Sequence, residues 1–265
     1  MLLLHLILVA LIQGITEFLP ISSSGHLILL PALTGLEDQG QVIDVAVHVG
    51  TLGAVMLYFR AETARMVRGL PKVVRRRIDD QDAWLALCLI IATIPVVIAG
   101  LIFSLTGLDD ALRSVAVIGW TTLIFGLVLY VADQKGPVEK VSAEWSLKDA
   151  LVMGLWQVLA LVPGMSRSGI TITGARWLGY AREDAARLAM LMSIPTIIAS
   201  GVLVGAEVVF NLDGAAARDG LIAAFFAFVA ALGALHFMMR LLKSVSFTPY
   251  VIYRVCLGLA LLAYA

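Results

Sequence analysis

Two stretches of this chain, residues 13–26 (QGITEFLPISSSGH) and residues 163–171 (PGMSRSGIT), interrupt segments that are otherwise strongly apolar. Each combines Pro, Gly and Ser with a charged side chain. Charged side chains are costly inside a bilayer, and those that occur there usually serve a function. The two stretches are therefore the first candidates for a functional site.

The two stretches resemble one another. An offset of 144 residues places seven residues of the first region on identical residues of the second. Self-similarity at a fixed offset indicates an internal repeat, so we expect the two stretches to be copies of one structural element. The first set is Leu11, Gln13, Ser22, Ser24, Gly25, Ile28 and Gly35, and the second is Leu155, Gln157, Ser166, Ser168, Gly169, Ile172 and Gly179.

The composition indicates an integral membrane protein. Of 265 residues, 60% are hydrophobic and 14% are charged, which is more apolar surface than one soluble core can bury. The formal net charge is zero, so no overall basicity indicates a nucleic-acid partner. Cys88 and Cys256 lie within apolar runs, which favours packed thiols over a disulfide or a thiolate metal site.

An all-α polytopic membrane protein is the predicted fold class. A helix needs about 20 apolar residues to cross the hydrocarbon layer. The apolar segments 1–12 and 150–162 are too short, and a Pro/Gly/Ser turn and a second short apolar piece follow each. We therefore expect two re-entrant helical hairpins, at 1–35 and 149–179. The six predicted full transmembrane helices are residues 42–59, 84–105, 113–132, 186–210, 219–239 and 248–265.

We expect residues 1–265 to form a single membrane domain with an inverted-topology repeat. Repeat one is 1–132 and repeat two is 149–265, each a hairpin followed by three spans. An odd number of crossings separates the hairpins, so the second enters from the opposite face of the bilayer. Irregular backbone at membrane depth needs protein or a water-filled cavity beside it, so both hairpins should face inward.

The basic residues predict the orientation. Seven of them follow the first span, and cytoplasmic connections carry an excess of Lys and Arg. We expect this connection inside, and both termini outside together with the acidic pairs Glu37–Asp38 and Asp109–Asp110. The seven basic residues are Arg60, Arg65, Arg68, Lys72, Arg75, Arg76 and Arg77.

The first hairpin contains a candidate cation site. Gln13 and Glu17 are spaced i, i+4, so on a helix they share one face. Oxygen ligands suit Mg²⁺ or Ca²⁺, which fill their remaining positions with water or substrate phosphate. The alternative is that Glu17 only caps or bridges helices.

Three serines and a histidine follow in the same hairpin. The hydroxyls and amides of Ser22, Ser23 and Ser24 precede a short helix, and amides at a helix N-terminus favour an anion. His26 is close enough in sequence to exchange a proton with one of the hydroxyls. We expect the other histidines, His5, His48 and His236, to be packed residues. Asp44 and Glu207 lie within predicted spans, and the sequence does not choose between supporting a metal ligand, lining a water path and simple hydrogen bonding near a helix end.

The second hairpin contains a candidate phosphate clamp. A guanidinium buried at a turn needs an anion, and Arg167 matches phosphate oxygens with paired donors. Ser166, Ser168 and Thr171 would complete an anion nest. The structural alternative is a salt bridge between Arg167 and Glu17 that ties the hairpins together and can coexist with catalysis.

The combined motifs, QxxxE with PxSSSGH and then PGxSRSGxT, resemble the undecaprenyl-pyrophosphate phosphatases of the bacitracin-resistance type. The family pattern begins with Glu or Gln, and Gln13 is the less acidic variant. The resemblance implies a bacterial inner-membrane homodimer that hydrolyses undecaprenyl diphosphate, the C55 lipid carrier of cell-wall synthesis, to the monophosphate and phosphate. It also implies a metal-dependent site on the periplasmic side.

The predicted mechanism has two routes. In both, Arg167, Ser166, Ser168 and Thr171 hold the diphosphate while a cation on Glu17 and Gln13 offsets its charge. Either Ser23 attacks the terminal phosphorus while His26 moves the proton, or His26 activates water. The competing class is a transporter or flippase that carries a lipid phosphate or anion through the same pocket, since inverted repeats with broken helices also build secondary transporters.

Overall fold

The computed structural model describes residues 3–35, 39–107, 112, 114–210 and 214–265, and the side chains of Ser24, 32–34 and 204–210 lie outside that description. Eleven α-helices and two short 3₁₀ turns make up the regular structure of this part, which contains no β-strand. The helices are α1 (Leu3–Thr16), α2 (Ser23–Thr34), α3 (Gly40–Tyr58), α4 (Arg60–Val74), α5 (Gln81–Thr106), α6 (Val115–Lys135), α7 (Leu147–Val158), α8 (Arg167–Trp177), α9 (Arg182–Phe210), α10 (Gly214–Leu241) and α11 (Thr248–Tyr264).

Five helices among the described residues are long and apolar enough to cross a membrane: α3, α5, α6, the Arg182–Leu203 part of α9, and α10. They cover five of the six predicted spans, and the chain is a multi-pass membrane protein. The sixth predicted span forms α11, which is apolar but has only 17 residues. At 1.5 Å per residue α11 is about 25 Å long, at the lower limit for a crossing.

The basic connection after the first span is a helix, α4, and not the loop that the sequence suggested. Its charged residues are exposed or half-buried, while Thr63, Met66 and Gly69 are buried. A Cβ at Gly69 would lie 2.1 Å from the Asp82 carbonyl oxygen, so α4 packs closely on the start of α5. In the turn between them, a hydrogen bond from Lys72 holds the pKa of Asp80 below its ordinary value.

The short helices form two pairs, α1 with α2 and α7 with α8, and both second helices begin with the same cap. Ser22 and Ser166 have φ of 76° and 67°, a region that residues other than glycine rarely adopt. Their hydroxyls accept hydrogen bonds from the amides of Gly25 at 3.3 Å and Gly169 at 3.1 Å. The residues that the offset of 144 aligns therefore share an uncommon backbone conformation.

The packing between helices repeats as well. Helix α1 packs on α10, and its counterpart α7 packs on α5, the helix that corresponds to α10 in the first half. Likewise α3 packs on α10 and α9 packs on α5. The corresponding helices α6 and α11, and α3 and α9, contact each other. Each of these contacts in one half of the chain therefore has a counterpart in the other half, or joins two corresponding helices.

Charged side chains gather the helix ends at one end of the molecule. Arg187 of α9 donates to Glu62 of α4 at 2.5 Å, and Arg182 donates to Asp133 of α6 at 2.6 Å. Arg176, at the end of α8, donates to the carbonyl oxygen of Asp133 at 3.1 Å. The 3₁₀ turn before α7 is also at this end, because Trp84 in the first turn of α5 donates to the Trp145 carbonyl oxygen at 2.8 Å. We call this region the basic end.

Candidate active site

Glu17 lies at the centre of the candidate site. Its side chain is 4% exposed and forms an ion pair with Arg167 through Oε1. Its other oxygen, Oε2, accepts hydrogen bonds from the Ser23 hydroxyl at 2.6 Å and from the Gln13 amide nitrogen at 2.7 Å. The α1 helix ends at Thr16, so Glu17 projects from the turn toward the second hairpin. The structure therefore brings four of the sequence-predicted site residues together.

The tips of the two hairpins are in direct contact. The Ser168 hydroxyl donates to the Leu19 carbonyl oxygen at 2.9 Å, and it lies 3.1 Å from the Ser166 hydroxyl. Thr171 donates back to the Arg167 carbonyl oxygen at 2.8 Å. The hydroxyls that the sequence assigned to an anion nest therefore also form hydrogen bonds with backbone atoms of the two hairpin tips. Ser22 caps α2, and the side chain of Ser24 lies outside the described residues.

His26 forms no hydrogen bond with Ser23, which differs from the direct pairing that the sequence suggested. Its Nδ1 lies 2.6 Å from the Ser22 carbonyl oxygen, and its Nε2 lies 2.5 Å from the Tyr253 hydroxyl. The α2 backbone fixes the first contact, since His26 follows Ser22 by four residues. Both ring nitrogens are therefore engaged, and the hydroxyl of Ser23 turns to Glu17 instead.

Arg254 is a site residue that the sequence analysis missed. It is fully buried on α11 and donates to carbonyl oxygens of both tips, Pro20 at 3.3 Å and Met165 and Gly164 at 3.1 Å each. No carboxylate of the described residues pairs with it by a salt bridge. The available signal was an arginine inside a predicted apolar span, where a charge is costly and needs a function.

His48 is also closer to the site than the sequence suggested. Its Nε2 lies 3.9 Å from Oε2 of Glu17, and its Nδ1 lies 2.6 Å from the Asp44 carbonyl oxygen. The Asp44 carboxylate accepts a hydrogen bond from Gln39 at 2.8 Å. A histidine one helical turn from an aspartate in a span carries no pattern that predicts contact with Glu17. The side chain of Glu207 lies outside the described residues.

The donor set fits a cation that is shared with a ligand. The described part of the chain contains no group of three or more His, Cys, Asp or Glu that could hold a metal by itself. However, Oε1 of Gln13, beside the Glu17 carboxylate, is buried without a hydrogen-bond partner among the residues that the structure describes. A hard cation takes oxygen ligands and accepts phosphate oxygens or water for the rest. Glu17 and Gln13 can therefore supply a part of such a coordination sphere.

The charges of the site favour an anion. Two guanidinium groups, Arg167 and Arg254, contact the hairpin tips, and Glu17 supplies one carboxylate. A buried charge without a partner costs free energy. The excess positive charge of the site therefore favours binding of a negatively charged ligand. A guanidinium matches phosphate oxygens with two parallel donors.

Comparison with known proteins gives relatives of nearly the same length. The family model described as bacitracin resistance protein BacA matches residues 6–260. A protein of Dinoroseobacter shibae named undecaprenyl-diphosphatase is 68% identical over 265 residues, which is 100% of this chain and 99% of that relative. A protein of Saccharophagus degradans with the same name is 45% identical over 263 residues, or 98% and 97% of the two chains. By the extent of these matches, the chain belongs to the bacitracin resistance protein BacA family.

Proposed function

We propose that the protein is an undecaprenyl-diphosphatase, which hydrolyses undecaprenyl diphosphate to undecaprenyl phosphate and inorganic phosphate. The observation that carries the proposal is the contact of the half-buried Arg167 with the buried Glu17, beside the Ser23 hydroxyl, where the two hairpin tips meet. The names of the relatives and their identity over the full chain support the same activity.

Substrate binding exchanges the partners of Arg167. In the free protein its guanidinium is neutralised by Oε1 of Glu17, while Ser23 and Gln13 use Oε2. A diphosphate carries more negative charge than one carboxylate and offers paired oxygens to the guanidinium. The diphosphate therefore replaces Oε1 on Arg167, and the contact of Oε2 with Ser23 is retained.

Ser23 then has a base for nucleophilic attack. Its hydroxyl already donates to Glu17 at 2.6 Å, which is within reach for proton transfer. Ser23 Oγ attacks the terminal phosphorus, its proton passes to the carboxylate, and the bond to the bridging oxygen breaks to release undecaprenyl phosphate. Water then hydrolyses the phosphoserine and releases phosphate. In the alternative route, His26 activates a water molecule that attacks directly.

Trapping separates the two routes. Rapid acid quenching of wild-type enzyme during turnover yields phosphoserine at Ser23 on the first route. Ser23→Ala is then inactive. If Ser23→Ala keeps most of the activity while His26→Ala does not, the second route is correct.

The site would take a divalent cation, Mg²⁺ or Ca²⁺. Glu17 and Gln13 would hold it, and there it would supply positive charge to offset the charge on the transferring phosphoryl group. The orphaned Oε1 of Gln13 supports this placement. Because Gln13 is neutral where the family also uses Glu, the affinity for the cation depends on the substrate phosphates more than it would with two carboxylates.

The protein has an inverted-topology repeat with two re-entrant hairpins. Four observations support this proposal: the shared caps of Ser22 and Ser166, the exchangeable packing of the two halves, the basic end, and the lengths of the short helices. The second hairpin begins and ends near the basic end, while the oxygens of Pro163 and Gly164 at its tip accept hydrogen bonds from Thr121 and Thr122 within α6. Leu29 in the first hairpin belongs to an apolar cluster with Ile118, near the start of α6, and Leu261, near the end of α11. These helix ends are the ones away from the basic end.

The basic end faces the cytoplasm of a bacterial inner membrane, so the first hairpin enters from the periplasm and the site opens on that side. The positive-inside rule supports this orientation. A membrane-impermeant thiol reagent tests it in intact cells: a cysteine placed at Arg76 should be protected, and one placed at Arg218 should react. The homodimer that the resemblance implies is tested by light scattering in detergent, where two chains of 28.4 kDa each are expected.

Phosphate release from purified protein tests the function. In detergent with Mg²⁺, the protein should release inorganic phosphate from undecaprenyl diphosphate. The competing transport function is favoured instead if the protein moves the lipid phosphate across liposome membranes without releasing phosphate. Arg218→Ala, which changes an exposed arginine outside the site, should behave as wild type.

A further inference from the structure

Helix α11 contributes two neighbouring residues to the site, although no motif of the hairpins includes it. Arg254 donates to carbonyl oxygens of both tips. Tyr253 places its hydroxyl 2.5 Å from Nε2 of His26, and the two rings are stacked with centroids 5.8 Å apart and planes 12° from parallel. Tyr253 contacts His26 by both a hydrogen bond and its ring face.

The contact of Nδ1 of His26 determines which group is the donor in the hydrogen bond between Nε2 and Tyr253. Nδ1 lies 2.6 Å from the Ser22 carbonyl oxygen, which can only accept, so Nδ1 carries a proton. In the neutral ring Nε2 then has the lone pair, and the tyrosine hydroxyl donates to it. The Ser22 carbonyl oxygen and Tyr253 together select one tautomer of His26.

We propose that Tyr253 is a positioning residue for the phosphatase reaction, which fixes the tautomer and the plane of the His26 ring through its hydroxyl. This inference rests on the proposed function of the site. Tyr253 does not need to touch the substrate, because its effect passes through His26. In the route that uses His26, the tautomer and the plane of the ring decide which nitrogen can take up a proton, and the contacts with Ser22 and with Tyr253 on α11 set both.

The position of Tyr253 is secured by its neighbour. Arg254 is fully buried, and its guanidinium contacts the backbone of both hairpins and the Thr122 carbonyl oxygen of α6 at 3.1 Å. These contacts prevent α11 from sliding along its axis relative to α2. The ring of Tyr253 therefore stays opposite the ring of His26 when substrate replaces Glu17 as the partner of Arg167.

A matched pair of tyrosines on α11 allows a controlled test. Tyr253→Phe keeps the stacked ring and removes only the hydroxyl. Tyr250→Phe is the control, since Tyr250 lies nearly one turn earlier, and its buried hydroxyl has no hydrogen-bond partner within the described part of the chain. We expect Tyr253→Phe to lower kcat about tenfold, the kinetic equivalent of one hydrogen bond, with KM within about twofold of wild type. Tyr250→Phe should keep both values.

The second readout is the imidazole ¹⁵N NMR spectrum of the substrate-free protein, with His26 assigned by its absence in His26→Gln. The neutral wild-type ring should carry its proton on Nδ1, and the Nε2 resonance should shift in Tyr253→Phe but stay in place in Tyr250→Phe. Because this measurement needs no turnover, it is independent of the proposed function. A wild-type ring protonated on Nε2, an unshifted resonance in Tyr253→Phe, or a kcat of that variant within twofold of wild type would each overturn the proposal.

Discussion

The two hairpins share one backbone plan and differ in the chemistry of a few positions. Both begin their second helix with a serine cap that has a positive φ. At the positions that the offset of 144 aligns, the first hairpin has Glu17 and Ser23 where the second has Leu161 and Arg167. The two copies thus carry opposite charges at their tips, and Glu17 of the first forms an ion pair with Arg167 of the second.

This difference shows how a repeat can build an asymmetric site. The repeated cap holds each tip in the same conformation, so one side chain at each tip is enough to change its chemistry. In the proposed mechanism the first hairpin supplies the acidic and nucleophilic groups, and the second supplies the cationic group. The tips also differ in crowding, because Arg254 lies against Gly169 and not against Gly25.

The largest effect is expected for the cation of the second hairpin. Arg167→Ala removes the paired donors for the diphosphate and should lower kcat/KM about 10³-fold or more, as found for arginines that stabilise transferring phosphoryl groups. Arg167→Lys keeps the charge but loses the bidentate geometry, so its kcat/KM should lie between those of wild type and Arg167→Ala. Steady-state phosphate release measures both, and a near wild-type rate for Arg167→Ala would contradict the division of roles between the hairpins.

The acidic group of the first hairpin should show a different kinetic signature. Glu17→Gln keeps the shape but removes the base and the anionic ligand, so kcat should fall about 10²- to 10⁴-fold. KM should not rise, since Arg167 is released from its carboxylate. The dependence of the rate on Mg²⁺ concentration should weaken as well. Glu183→Gln, at the basic end, is the control. A raised KM with unchanged kcat would mean that Glu17 only binds substrate.

The same glycine substitution should have unequal effects in the two hairpins. A Cβ at Gly169 would lie 2.8 Å from Nη1 of Arg254, whereas a Cβ at Gly25 would have its nearest neighbour, the Ser22 hydroxyl, at 3.2 Å. Gly169→Ala should therefore cost about 1–3 kcal/mol of stability by overpacking. Gly25→Ala should cost less. Thermal unfolding in detergent compares them, and equal losses would contradict the difference in crowding.

The smallest losses of stability, and the most similar ones, are expected at the two serine caps, Ser22 and Ser166. Ser22→Ala and Ser166→Ala each remove one side-chain acceptor at a helix N-terminus, which costs about 1 kcal/mol. Because the cap geometry is shared, the two losses of stability should agree within about 1 kcal/mol, with the larger loss at Ser166, whose hydroxyl also lies 3.1 Å from that of Ser168. A large difference between them would mean that the hairpins are not equivalent in their backbone energetics.

Much of the fold followed from local patterns in the chain. The length of apolar runs identified five spans that the structure contains, and the Pro, Gly and Ser content located both interruptions. The motifs singled out Glu17, Ser23 and Arg167, which the structure places in contact. These features are local, since bilayer thickness fixes the length of a span and a buried charge stands out against apolar neighbours.

Packing between distant segments decided the remaining features. Ser23 pairs with Glu17 and not with His26, because Tyr253, 227 residues away, occupies the free nitrogen of that ring. Arg254 reaches Pro20 across 234 residues. The sequence specifies the residue types at such positions, but which of them touch depends on how α11, α6 and the hairpins pack. Helix tilt and rotation, which no hydropathy pattern contains, set those contacts.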